Sequence, residues 1–464
     1  MFFAVIVIVF ALSAAYAAAS PLGALRVVVV SYFVIPTTVG FRAPSDLPLP
    51  ILTVPRAVLA GFLLGYGVNR LFAAVARRGV PPAAWYFLLF ILYLLVTTPL
   101  AVSPQYNLKI IFSERIVGGA ILLWIAYTLV RTEEDFVFVL RGLCVGALLV
   151  AAIALWEAAT GTRFNNLAII REASRLDVQA FTATAGGVGL ARRGGILRVE
   201  STYEHSIYLG LALTILLPFL LMLRGRVRSR LWDLTLLLVL FASVFTVART
   251  AWFSVVAAAF LAGKKSRGLF VLASLALVLL GLPFLTRSFR KVAYVDPTAL
   301  SARGRWDLLV AAVQNLEGKR VLVGFGIGSP EYLADAYGTR EALLLATRSL
   351  QRIPTDNSLA IMLFSVGLIG TGLFLWLLWK SARFLIVGSG GPETVASLLA
   401  RATLYCLMIQ VAIFSISNSV FQEPRLSVVF FALLGSGLGV AKLQTPTRSS
   451  VAAGPGVTAA PGDG

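Results

Sequence analysis

The residues best suited to chemistry lie in and around a long hydrophilic stretch that runs from about Arg287 to Asp356. It holds ten Lys or Arg and seven Asp or Glu residues and interrupts an otherwise apolar chain. Within it, Arg303 and Arg305 precede Trp306 and a segment with apolar residues at helical spacing. A guanidinium offers a planar fork of donors that suits the oxygens of a phosphate. The alternative is a solvated loop charge, and Arg305, beside an aromatic residue, is the better candidate.

A glycine-rich turn follows in the same stretch, with the sequence GFGIGSPEY. Gly324 and Gly326 permit a close backbone turn that could approach a substrate. No Gly-Lys-Ser/Thr follows, so the turn is not a nucleotide-binding P-loop. The stretch ends at Asp356 and Asn357, where the next apolar run begins. Asp356 fits two interpretations equally well, a helix N-cap and a weak general base. Asn357, beside it, is a candidate substrate-binding residue.

Two further candidates stand at the edges of apolar runs. Arg198 and His205 lie in RVESTYEHSIYLG, where a charged donor could hold a phosphate. An interfacial anchor is favoured for His205, and for Arg198 the two interpretations are equally weighted. Arg249 lies in TVARTAWF, a tight turn between two apolar runs. A charge this close to the membrane interior favours a function, although snorkelling towards lipid headgroups is the alternative.

The elements that position these residues are predicted to be membrane helices. The chain has 464 residues, of which 58% are hydrophobic and 13% charged, and its mean hydropathy is +0.87. Since about 20 apolar residues cross a bilayer as a helix, the sequence predicts an all-α, polytopic membrane bundle of about 12 to 13 transmembrane helices, with a large extracytoplasmic helical loop. The predicted spans are 3–19, 24–40, 54–75, 84–102, 110–130, 136–157, 205–223, 232–247, 250–263, 268–285, 357–379, 397–417 and 425–441.

Basic loops orient these spans, because Lys and Arg collect on the cytoplasmic side. The predicted division is an N-terminal bundle (1–285) with an extracytoplasmic loop (158–204), a large extracytoplasmic loop (286–356), C-terminal membrane helices (357–441) and a disordered cytoplasmic tail (442–464). The same rule accounts for a net charge of +19, so no nucleic-acid partner is expected. One His and two Cys within apolar runs predict neither a metal site nor a disulfide framework.

The order of these motifs resembles that of the O-antigen ligase and polysaccharide polymerase superfamily, over roughly residues 195–380. The matching pieces are Arg198–Gly210, Ala248-Arg249-Thr250, Arg305-Trp306, Gly324–Gly328, Asp356-Asn357-Ser358 and Gly367-Leu368-Ile369-Gly370. The motifs are short, so their order and the span pattern carry the resemblance.

The resemblance implies a multi-pass glycosyltransferase of the inner (plasma) membrane that uses neither a metal nor a cofactor. Its donor would be an oligosaccharide on a polyprenyl diphosphate, its acceptor a glycan or lipid-linked sugar at the outer face of the bilayer, and a chain-length regulator a possible partner. Arg249 and Arg305 would hold the leaving diphosphate. The ligases carry a histidine where this chain has Asp356, which leaves the base open and slightly favours a polymerase over a ligase.

Two other classes remain open on the sequence alone. One is a transporter, for example a flippase for lipid-linked glycans, although the chain shows no internal repeat and its charges cluster at the rim. The other is a membrane scaffold without chemistry, against which the position of Arg249 argues.

Overall fold

We describe the protein from a computed structural model. It describes residues 2–36, 40–41, 52–72, 82–162, 164, 192–193, 196–197, 199–203, 206–224, 226–227, 229–246, 248–261, 318–327, 358–390, 393–416, 420–421 and 423–444. The predicted span 268–285, most of the two predicted extracytoplasmic loops and nearly all of the predicted tail lie outside these residues.

The described chain is almost entirely helical. Its α-helices are α1 (Phe2–Ala19), α2 (Pro21–Val34), α3 (Val54–Phe72), α4 (Pro82–Thr97), α5 (Pro104–Ile111), α6 (Gly119–Leu129), α7 (Glu133–Thr160), α8 (Ser206–Ile215), α9 (Leu217–Met222), α10 (Arg230–Phe245), α11 (Arg249–Leu261), α12 (Arg320–Val323), α13 (Ser358–Ser389), α14 (Val395–Ile416) and α15 (Pro424–Gln444). A 3-10 turn covers Thr98–Leu100 and a π-helical turn covers Glu114–Gly118. Two antiparallel pairs of two-residue strands, β1 (Gly40–Phe41) with β2 (Leu52–Thr53) and β3 (Arg192–Arg193) with β4 (Ile196–Leu197), complete it.

The apolar runs form the helices that their composition predicts. Every predicted span within the described residues is helical, although two are divided: 205–223 at Leu216, next to Pro218, and 110–130 between the end of α5, the π-helical turn and α6. Six helical segments of the described chain are long and apolar enough to cross a membrane. A helical membrane protein is thereby supported, whereas the count of 12 to 13 crossings stays a prediction. Local signals set the ends: Thr132 and Asp135 form a capping box before α7, and Gly161, with φ 69°, ends it.

The helix α15 lies at the centre of the bundle, and 89% of its apolar stretch is buried. Its sequence GSGLG allows two neighbours to approach at once. Gly435 and Gly439, four residues apart, pack on backbone carbonyls of α6, and Gly437 packs on Thr403 of α14. Small residues at this spacing let membrane helices come into close contact, so the glycines of α15 explain its central position.

Side-chain contacts also fix the direction in which the helices run. α2 and α7 are parallel, because Gly142 packs on Arg26 whereas Gly146 packs on Phe33 and Val34.

α6 and α15 are parallel as well, since Gly119 contacts Phe431 in the first half of each helix and Lys442 lies over Tyr127 near their ends. α13 shares this direction, with Gly388 against Ala441. α4 is antiparallel to α13: Tyr86 contacts Trp376, whereas Tyr93 donates a hydrogen bond to the carbonyl of Val366.

These directions give the bundle two distinct ends. The basic end is defined by Arg70, Arg131, Arg226, Lys380 and Lys442, and an ion pair between Arg226 and Glu393 joins two of its connections.

The motif end, opposite to it, is defined by Leu100, Thr202, Arg249, Gly324 and Arg425. Basic connections thus collect at one end, as the predicted topology requires, while which end faces the cytoplasm stays a prediction.

Candidate functional site

The glycine-rich turn lies against a break in α13. Within that helix Gly367 has φ 66° and ψ −168°, a conformation that only glycine adopts readily. In an unbroken helix, the carbonyls of Phe364 and Ser365 would accept from residues 368 and 369. Here they accept from Phe325 N at 2.9 Å and Gly326 N at 2.8 Å. The turn therefore supplies backbone donors to the break.

Glycines on both sides make this contact possible. Gly324, with φ 68°, packs on the backbone of Ser365 and Val366, and Gly367 packs on the backbone of Leu322 and Val323. A Cβ atom on either glycine would come closer than 3.0 Å to the opposing backbone. The two motifs GFG and GLIG, which are about 40 residues apart in the sequence, thus interlock.

Polar side chains from three segments hold the turn in place. Arg320 Nη1 donates to the carbonyls of Leu100 at 2.6 Å and Gly324 at 3.0 Å. The buried Asn107 accepts from Ile327 N at 2.6 Å through Oδ1. Tyr93 donates to the carbonyls of Val366 at 2.7 Å and Leu322 at 3.2 Å. The large loop is therefore anchored to α4, the segment after it, and α13 at the point where its motif lies.

The second part of the site is the segment Val199–Tyr203, which two buried charges hold. Glu157, at 0% exposure in the last turn of α7, accepts from Glu200 N and Ser201 N at 2.8 Å each and from Phe164 N at 2.7 Å. Ser201 has φ 53°, unusual for a residue with a side chain. A carboxylate that accepts several backbone N–H groups is stabilised as an anion, so it can hold this strained turn.

Arg425 holds the same segment from the other side. Its guanidinium, 1% exposed, donates to the carbonyls of Tyr32, Phe33 and Thr202 at 2.9, 3.1 and 2.6 Å and to Thr202 Oγ1 at 3.3 Å. Tyr32 and Phe33 are in the last turn of α2, where carbonyls lack helical donors and the helix dipole favours a cation. Arg425 therefore joins α2, α15 and the Val199–Tyr203 segment.

Tyr203 completes this junction. Its ring centroid lies 4.0 Å from Cζ of the Arg425 guanidinium, and its hydroxyl donates to the carbonyl of Phe33 at 2.9 Å. Burial raises the pKa of the Tyr203 hydroxyl, Arg425 acts in the opposite direction, and Glu423 adds to the rise. The hydroxyl therefore stays a neutral donor at physiological pH.

The Val199–Tyr203 segment also meets the turn that contains Arg249. Val199 N donates to the carbonyl of Phe245 at 3.3 Å. Close by, Gly210 of α8 packs on Ala251 of α11, and a Cβ atom there would come closer than 3.0 Å. Arg249 is the first residue of α11. The helix N-terminus it begins is a position that favours anions.

The structure thus describes only some of the residues that the sequence singles out. Gly324 and Gly326 lie in the docked turn, and Arg249 is placed by its backbone. The other candidates lie outside the described residues: Arg198, His205, Arg303, Arg305, Asp356 and Asn357. Of the motif segments, the four that the structure describes contact one another in two pairs, both at the motif end.

Sequence reasoning missed four residues that build this end: Asn107, Glu157, Arg320 and Arg425. Arg425 and Glu157 carried a usable signal, since a charge in an apolar run is costly and calls for a partner or a function. Asn107 and Arg320 had none, because their partners are backbone atoms that are distant in the sequence. No group of three or more His, Cys, Asp or Glu residues able to hold a metal occurs in the part of the chain that the structure describes.

Neither a protein-family model nor a curated protein matches the chain. The resemblance to the O-antigen ligase and polymerase superfamily therefore rests on the motifs and on their order.

Proposed function

We propose that the chain is a membrane glycosyltransferase of the O-antigen ligase and polymerase type. The observation that carries the proposal is the pairing of the motif segments: residues 199–210 contact 245–251, residues 322–326 contact 364–367, and both contacts lie at the end opposite the basic connections. The first contact supports the proposal, because it brings the residue after Arg198 close to the turn that carries Arg249, and a pair of arginines suits a lipid-linked anionic donor.

In the proposed reaction, an acceptor hydroxyl attacks the anomeric carbon of the donor glycan. The bond from that carbon to the diphosphate oxygen breaks, polyprenyl diphosphate leaves, and the hydroxyl proton passes to a base. Arg249 and Arg305 stabilise the charge that develops on the diphosphate. Asp356 is the candidate base, and Arg198, Arg303, His205, Gly324, Gly326 and Asn357 are candidates for contacts with the substrates. The Asp-Asn pair favours a polymerase over a ligase.

A strain that lacks the protein tests this proposal directly. Its polyprenyl diphosphate lipids are extracted and the attached glycan is sized. Accumulation of single repeats supports a polymerase, and accumulation of long chains supports a ligase that transfers finished polymer. An unchanged lipid pool together with an unchanged surface glycan would contradict both forms of the proposal.

The same strain tests the role of Arg305. Complementation with Arg305→Ala is expected to yield inserted protein but no product, because the leaving diphosphate loses a cation that stabilises it. Arg131→Ala, an exposed arginine at the basic end, is the matched control and should restore the product. Wild-type amounts of product from Arg305→Ala would remove this residue from the reaction.

A second candidate function is transport of a lipid-linked glycan, and the broken helices favour it. Transporters often form their binding sites at discontinuous membrane helices, and both α13 at Gly367 and the α8–α9 pair at Leu216 are discontinuous. The break in α13, however, is filled by the turn of residues 324–326. Counting lipid-linked glycan on the two sides of vesicles in the deletion strain distinguishes the two: a transport defect leaves the glycan on the side of synthesis.

A further inference from the structure

At the seam between α4 and α13, a lysine ammonium lies among three aromatic rings. Lys380 Nζ is 5.2 Å from the ring centroid of Trp379, 5.5 Å from that of Tyr86 and 5.6 Å from that of Trp376. Aromatic faces attract a cation, but they leave its N–H donors without conventional acceptors. Among the described residues, none forms an ion pair or a hydrogen bond with this ammonium.

One turn further along α13, a second cation also lies beside an aromatic ring without a described carboxylate partner. Arg383 is exposed, with Cζ 5.9 Å from the ring centroid of Trp379, and no described carboxylate pairs with it.

Two described carboxylates of the basic end have arginine partners of their own. Glu393 pairs with Arg226 and Asp233 with Arg224, each at 3.5 Å. Lys380 and Arg383 are therefore two neighbouring positive charges with no carboxylate partner in the part of the chain that the structure describes.

The surface beside this pair is apolar and continuous over two helices. Its exposed apolar side chains recur every three or four residues along α4 and every three to seven residues along α13. They include Trp85 at 61%, Leu88 at 53%, Leu92 at 55%, Leu368 at 53%, Trp379 at 53% and Ile386 at 56%. From Leu368 to Arg383 the helix rises roughly 22 Å, which fits within a hydrocarbon core of about 30 Å. Both cations thus lie near one end of this surface, before Ile386 and Val387, and long basic side chains near a helix end reach the headgroups.

We propose that Lys380 and Arg383 bind the phosphate of an anionic phospholipid, whose acyl chains lie along the exposed faces of α4 and α13. The adjoining apolar surface favours a phospholipid over a free phosphate, because only the lipid covers that surface as well. The lack of a carboxylate partner among the described residues favours an anionic headgroup, because a zwitterionic one brings a cation of its own next to two others. This site is at the opposite end from the proposed transferase site, and it does not depend on that reaction.

Native mass spectrometry of the purified chain tests the site. The protein is titrated with phosphatidylglycerol and with phosphatidylcholine of identical acyl chains. We expect tighter binding of phosphatidylglycerol, and a loss of about fivefold in its affinity for Lys380→Gln, as for the removal of one interfacial cation. Binding of phosphatidylcholine should not change, and Lys380→Arg should keep the preference.

Lys109→Gln is the matched control. Lys109 is also an exposed lysine beside a ring, 5.2 Å from the centroid of Tyr106, but it lies at the motif end. Equal affinity of the wild-type protein for the two lipids would overturn the proposal, as would a loss in Lys380→Gln no greater than that in Lys109→Gln. Displacement of phosphatidylglycerol by an equal concentration of glycerol phosphate would also overturn it, since a site for free anions needs no acyl chain.

Discussion

At the scale of single residues, the motif end depends on two buried charges that neutral groups satisfy. Glu157 binds backbone N–H groups and Arg425 binds backbone carbonyls, and both reach the short segment Val199–Tyr203. Arg425 therefore supplies the hydrogen-bond donors that the carbonyls at the end of α2 lack, and Glu157 supplies an acceptor for the N–H groups of the turn.

Replacement of Arg425 is expected to destabilise the protein. In Arg425→Met the buried carbonyls of Tyr32 and Thr202 lose the arginine as their donor, while that of Phe33 keeps the Tyr203 hydroxyl, and we expect a cost of about 3 kcal/mol in the free energy of unfolding. Thermal unfolding in detergent measures this. Arg131→Met, at an exposed position, is the control and should unfold like the wild type. An unchanged unfolding temperature for Arg425→Met would show that the junction contributes little to stability.

At the scale of elements, the central feature is a helix that is broken in order to receive a turn. α13 gives up its regular geometry at Gly367, and the turn of Phe325 and Gly326 satisfies the carbonyls before the break. A break in a membrane helix is tolerated when other protein groups satisfy its backbone. This contact fixes the start of α13, and with it the chain just beyond Asp356 and Asn357, relative to the large loop.

Alanine substitutions test the interlocked glycines. Gly367→Ala and Gly324→Ala should each reduce both thermal stability and glycan product, because a Cβ atom meets the opposing backbone and a positive φ is strained for alanine. Gly372→Ala, in the same helix with nothing within 4 Å of its Cβ position, should behave as the wild type. If all three variants unfold and perform alike, the turn does not need this contact.

At the scale of the whole molecule, packing brings distant segments to two opposite ends of one bundle. Among the described residues, the basic connections collect at one end and four of the segments that carry the resemblance collect at the other. α15 organises this arrangement from the centre, since its glycines contact α6 and Arg425 contacts α2 and the Val199–Tyr203 segment. The directions of the helices, and not the loops alone, thus support a site at one membrane surface.

Labelling of single cysteines checks the two ends. Native Cys144 and Cys406 are buried, so background labelling by a membrane-impermeant maleimide should be low. Lys109→Cys, at the motif end, should react in intact cells, and Arg226→Cys, at the basic end, should react only after the membrane is opened. Reaction of both from outside would contradict the two-ended arrangement in the membrane, and the reversed pattern would place the motif end in the cytoplasm.

The sequence by itself determined that the chain is helical and membrane-embedded, and where most described helices lie, because apolar length is a local property that needs no knowledge of neighbours. It also indicated a close turn at Gly324 and Gly326. It could not indicate what that turn contacts, nor that Arg425 caps α2 almost 400 residues away. Those contacts depend on which helices become neighbours and how closely they pack. Close packing requires glycines at the contact and hydrogen bonds between distant backbone groups, and only the tertiary structure brings these together.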